Sequence, residues 1–187
     1  FLEDVMMLRI TKGTYEEPVV IAEDLPYLLN PQVTETPGWP QPWPRVYYLD
    51  EDTSLAYRTE VEWGVWSPES VVPYLGFGTE FDASTNATGA QAILSLGPQP
   101  TCPCNDIQAI HQDDEGQWQP PHQLTVDYDA YNWPQSPCVA LDAQNRTHAF
   151  WMQMTADETM MPTRRALEYW VKDGDDWADA GQDLDPY

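Results

Sequence analysis

The chain has 187 residues, and its 31 acidic side chains against 8 basic ones give a formal net charge of −23. A surface of that sign repels phosphate backbones and anionic headgroups, which excludes nucleic acid and anionic membranes as expected partners. No apolar run approaches the ~20 residues of a membrane helix, and the 9 Trp, 10 Tyr and 18 Pro favour strands over helices.

In chain order, residues 5–15 alternate, turn at Gly13 and resume at Tyr15. The same outline returns in residues 55–66 with Gly64 and Trp66, in 107–118 with Gly116 and Trp118, and in 167–177 with Gly174 and Trp177. A proline and then an apolar patch follow the first three aromatics, as in Pro18 to Ile21, Pro68 to Val72 and Pro121 to Leu124. Each outline predicts a hairpin whose glycine takes positive φ. Two more strands fit between hairpins, over 30–33 and 45–49, 81–89 and 90–96, and 136–142 and 147–152.

Four strands in a unit of ~50 residues predict a β-propeller blade. The expected fold is therefore all-β, with blades of four antiparallel strands and about three and a half blades in one partial propeller domain spanning 1–187. Residues 1–21 form a half blade, and 30–72, 81–126 and 137–185 form full blades. A β-sandwich is the alternative, but it leaves the repeated glycine–aromatic corner unexplained.

Asp173-Gly174-Asp175-Asp176-Trp177 and Asp114-Glu115-Gly116-Gln117-Trp118 resemble degenerate Asp-box turns of sialidase-like (BNR-repeat) propellers. The resemblance implies a fold and says little about chemistry. Three and a half blades do not close a ring, so another chain, symmetry or further residues are expected to complete it. The chain opens inside a strand at Phe1, which suggests processing or a longer parent.

By analogy with that family, ligands sit on the rim formed by the D–A and B–C loops. Tyr74, Phe77, Tyr128, Tyr131 and Trp133 fall there and are the candidate ligand-binding residues, suited to stacking on sugars or anchoring a protein; packing between blades is the bland alternative. Trp39 and Trp43 lie in a Pro-rich excursion on the other rim. Cys138 is expected to pair with Cys104 or with Cys102. Asn86 and Asn145 head glycosylation acceptor triplets. The acidic turns at 50–52 and 173–176 are possible Ca²⁺ sites or plain hydrated turns. No cofactor is expected, and a metal site built from the cysteines and His111 is not supported by their spacing.

No Ser-His-Asp order, phosphate loop or zinc motif is present. A sialidase would need three clustered arginines, and only Arg9-Ile10-Thr11 comes near the sequence context of that family. The expected function is binding or assembly with a carbohydrate or protein partner, at an extracellular, cell-surface or periplasmic site. A sialidase-like glycoside hydrolase and a structural subunit of an extracellular assembly are the alternatives.

Overall fold

A computed structural model describes residues 3–11, 14–25, 31–37, 42–50, 54–73, 80–98, 105–113, 115–125, 132–157, 159 and 161–181. Every regular element among them is a β-strand, and no helix is long and apolar enough to cross a membrane. The chain divides into two compact units, 1–72 and 73–187.

In the first unit, β1 (Glu3–Met7) pairs with β4 (Val19–Leu25), and β2 (Ile10–Thr11) pairs with β3 (Thr14–Tyr15). Together they make one long antiparallel hairpin. A meander follows: β5 (Gln32–Thr36), β6 (Trp43–Leu49), β7 (Leu55–Glu62), β8 (Val65–Trp66) and β9 (Ser70–Val71), with β8 and β9 both pairing with β7. Strand alternation turns Val5, Ile21, Ala22 and Leu25 of the hairpin onto Val46, Tyr48 and Ala56 of the meander, forming one core.

The second unit holds two four-stranded antiparallel sheets, each in plain chain order. The first contains β10 (Phe81–Thr85), β11 (Gln91–Pro98), β12 (Asn105–Gln112) and β13 (His122–Gln123). The second contains β14 (Asn132–Leu141), β15 (Thr147–Ala156), β16 (Pro162–Asp173) and β17 (Asp176–Asp179). Ala92, Leu94, Leu96 and Ala109 of one sheet pack on Val139, Ala149 and Trp151 of the other. In β15, Thr147, Ala149, Trp151 and Gln153 are buried at every second position, as a strand with one face inward requires.

The edge of β14 that faces away from β15 is satisfied by side chains. Ser136, Val139 and Leu141 donate their backbone N–H groups to Glu80 Oε2 (2.8 Å), Asp82 Oδ2 (2.7 Å) and Ser84 Oγ (3.0 Å). Alternate residues of one strand thus cap the amides of the next sheet. The wider step from 136 to 139 is absorbed by a bulge between Gln135 and Cys138, where Ser136 adopts φ 51°.

Several turns share a carboxylate or amide head. Asp142 Oδ1 accepts the N–H groups of Gln144 and Arg146, Asp113 those of Glu115 and Gln117, and Asp157 those of Thr159 and Met161. Asn86 accepts that of Thr88. The residue three places after the head is left-handed in Gly89 (φ 98°), Gly116 (φ 81°) and Asn145 (φ 63°).

Gly64 and Gly174 also have positive φ, but in two-residue corners closed by Glu62↔Val65 and Asp173↔Asp176. The glycine corners expected to be equivalent therefore fall into two turn classes, because the Asp113-headed turn is longer. One loop assignment also changes. Trp133 lies within β14, paired with Met154.

Candidate functional site

The meander of the first unit brings charge and aromatics to one place. Arg9 follows β1, and Glu60 lies near the end of β7, paired with Trp66, before the corner at Trp63 and Gly64. Arg9 Nη2 donates to Glu60 Oε2 across 51 residues of sequence. Glu60 is only 1% exposed, and its other oxygen accepts the Gly64 N–H at 2.6 Å. A buried carboxylate needs such partners to remain ionised.

The Arg9 guanidinium lies over the Trp63 ring, 4.0 Å from its centroid. Trp63 remains 51% exposed, so one ring face is covered and much of the rest stays open to solvent. Two adjoining cavities of about 230 and 390 Å³ share Met7, Arg9, Glu60 and Trp63. The smaller is also bounded by Glu16 and Trp66, the larger by Glu35 and Pro44. The Trp66 Nε1–H is buried without an acceptor among the described residues.

The site therefore offers forked N–H donors, carboxylate acceptors, an indole face and an unsatisfied indole donor. Its acids outnumber its one guanidinium. Such a wall favours a neutral, hydroxyl-rich ligand and disfavours an anion. Sequence reasoning missed it because Arg9, Glu60 and Trp63 converge only when the hairpin folds onto the meander. The one available signal was the unusual corner Trp63-Gly64, where a large aromatic occupies a turn position.

Of the sequence-predicted ligand-binding residues, Tyr74, Phe77, Tyr128 and Tyr131 lie outside the described residues, and Trp133 is half-buried in β14. Cys138 is an exposed free thiol, and its expected partners Cys102 and Cys104 lie outside the described residues. Partial burial and then the neighbouring Asp82 carboxylate push that thiol up. Asn86 is half-buried and Asn145 exposed on neighbouring turns, and Asn86 Nδ2 donates to Asn145 Oδ1.

Among the described residues no group of three or more His, Cys, Asp or Glu side chains could hold a metal ion. Residues 51–53 of one acidic turn lie outside that set. Arg9 and Arg45 bond within the first unit, to Glu60 and Thr59, and Arg146 bonds within the second, to Asp142.

Fold and cavity together define an all-β protein of consecutive antiparallel meanders with a charged aromatic pocket. No protein-family model and no curated protein matches the chain. Among solved structures, a fucose lectin from Kordia zhangzhouensis in complex with methyl-fucoside is similar, with a TM-score of 0.48 and 15% identity over 81% of this chain and 99% of that one.

Proposed function

We propose that the chain is a carbohydrate-binding module whose successive sheets are propeller blades, and that it takes a neutral saccharide in the Arg9–Glu60–Trp63 cavity. The observation that carries this reading is a buried carboxylate paired with a part-exposed guanidinium beside a half-exposed indole. A pyranose lays its C–H face on an aromatic ring and turns its hydroxyls to the ion pair at the ring edge. Titration of the full chain with neutral glycans, followed by tryptophan fluorescence, tests it. Trp63→Ala is expected to lower affinity at least tenfold; parental affinity in that variant overturns the assignment.

The exposed turns at Asn86 and Asn145 support secretion as part of the proposal. Expression through a secretory pathway is expected to add mass that Asn86→Gln and Asn145→Gln remove stepwise, and unmodified protein from that host counts against it.

A second reading, assembly, rests on the β1–β4 hairpin. Val5 packs inward while the cross-strand partners Met6 and Val20 stand 56% and 39% exposed on the other face. Two-stranded ribbons apolar on both faces are rarely stable alone. A native mass equal to the monomer at all concentrations would remove this reading.

A further inference from the structure

Strand register identifies, within residues 73–187, the counterparts of the cavity residues. In the first unit Met7 pairs with Val19, Arg9 lies two residues beyond Met7, and Glu60 pairs with Trp66. In the second unit Ala109 pairs with His122, His111 lies two residues beyond Ala109, and Lys172 pairs with Trp177. Arg9, Val19, Glu60 and Trp66 thus correspond to His111, His122, Lys172 and Trp177. The corner residue at the place of Trp63 is Gly174.

These four residues meet between the two sheets. The Trp177 ring lies 5.8 Å from His111 and 6.1 Å from His122, nearly parallel to the latter. His111 Nε2 contacts Thr147 Oγ1 at 2.8 Å. Lys172 Nζ donates to its own corner carbonyl at Gly174 and keeps two further N–H donors. None of the three basic groups ion-pairs with a carboxylate among the described residues. The Trp177 Nε1–H is buried without an acceptor there, and a buried unsatisfied donor calls for an occupant. Where the first site neutralises its cation with Glu60, this one collects donors and lacks the acceptor.

We propose that His122, Lys172 and Trp177 form a second binding site that takes a carboxylate-bearing saccharide of the uronic-acid class. For the saccharide class the proposal rests on the reading of the first site; for the carboxylate it rests on this cluster alone. The sugar stacks on the exposed His122 ring, which Trp177 backs, while its carboxylate takes the Lys172 ammonium.

The test titrates the full chain with glucuronate and with glucose, using backbone-amide NMR shifts. Glucuronate is expected to shift amides of β13 and β17, and Lys172→Glu is expected to weaken it at least tenfold while leaving binding at Arg9 unchanged. Lys172→Gln and His122→Gln provide milder variants should Lys172→Glu fail to fold. Glucuronate binding that survives Lys172→Glu, or that Arg9→Ala abolishes, overturns the second site. Neutral-sugar binding at Arg9 without any glucuronate shift overturns the second site and leaves the first standing. Lys172-dependent glucuronate binding without neutral-sugar binding overturns the first and supports the second.

Discussion

The Asp82 carboxylate accepts the backbone N–H of Val139 at 2.7 Å, so a side chain of one sheet completes the hydrogen bonding of the next. Asp82→Ala leaves that amide without its partner and is expected to cost about 1–3 kcal/mol. Asp82→Asn keeps an oxygen acceptor and is expected to lose less. Urea unfolding measures the difference, and faster hydrogen exchange at Val139 locates it; unchanged exchange would show that the bond contributes nothing.

The Arg9–Glu60 pair also holds the fold. Glu60→Ala strands the guanidinium and is expected to destabilise by about 3–5 kcal/mol. The double variant Arg9→Met with Glu60→Leu removes both charges and is expected to recover most of that loss without recovering binding. Chemical denaturation of Arg9→Met, Glu60→Leu and the double variant closes the cycle.

His111 makes stability depend on pH. Burial, then Lys172 and His122, hold its pKa down at about 4. The unfolded chain protonates this residue near the ordinary value of about 6.5. Between those values the unfolded state binds more protons, so stability rises with pH across the window and is complete above about 6.5. The contribution is on the order of 3 kcal/mol. His111→Gln is expected to flatten the profile between pH 4 and 6.5, read from denaturation midpoints.

Asp142 acts in a lower window. Desolvation pushes it up, but hydrogen bonds from the Arg146 N–H, His148, the Arg146 side chain and the Gln144 N–H outweigh this and hold it well below the usual carboxylate range. Its contribution is present above the unfolded value of about 3.9 and is lost as pH falls through the depressed folded one. Asp142→Asn is expected to leave the profile above pH 5 unchanged and to blunt the acid limb.

Gly64, Gly116 and Gly174 have positive φ, and a Cβ built on any of them meets nothing within 4 Å. Alanine there is therefore expected to cost about 1 kcal/mol through backbone strain alone. At Gly116, asparagine is expected to recover part of it, as Asn145 holds the equivalent turn position natively (φ 63°). Thermal midpoints of the four single variants test the ranking.

The strand content was legible because short apolar runs bounded by turn residues mark strands, as at Ala92 to Leu96 in β11, a segment buried on both faces. Positive φ at Gly64, Gly116 and Gly174 was legible because a tight corner needs it. The head of the long turn was not: it is Asp113, whose carboxylate reaches the second and fourth amides beyond it, and an Asp-box alignment centred on Asp114 hides that. Trp133 reads as a loop residue because Pro134 and Pro137 follow it, yet β14 keeps Pro134 paired with Gln153 and takes Pro137 into its bulge. Arg9 and Glu60 carry no local signal at all, since only the stacking of two strand layers joins them.

The corner at Trp63 and Gly64 has two residues, and the Gly64 amide is tethered to Glu60. If Trp63 stacks on a sugar as proposed, the ring mounted there has no loop to reorganise. Its orientation is set before any ligand arrives, so association draws little on chain ordering. Free and occupied forms should then superimpose, and changes in affinity among close variants should appear in how long the ligand stays rather than in how fast it arrives.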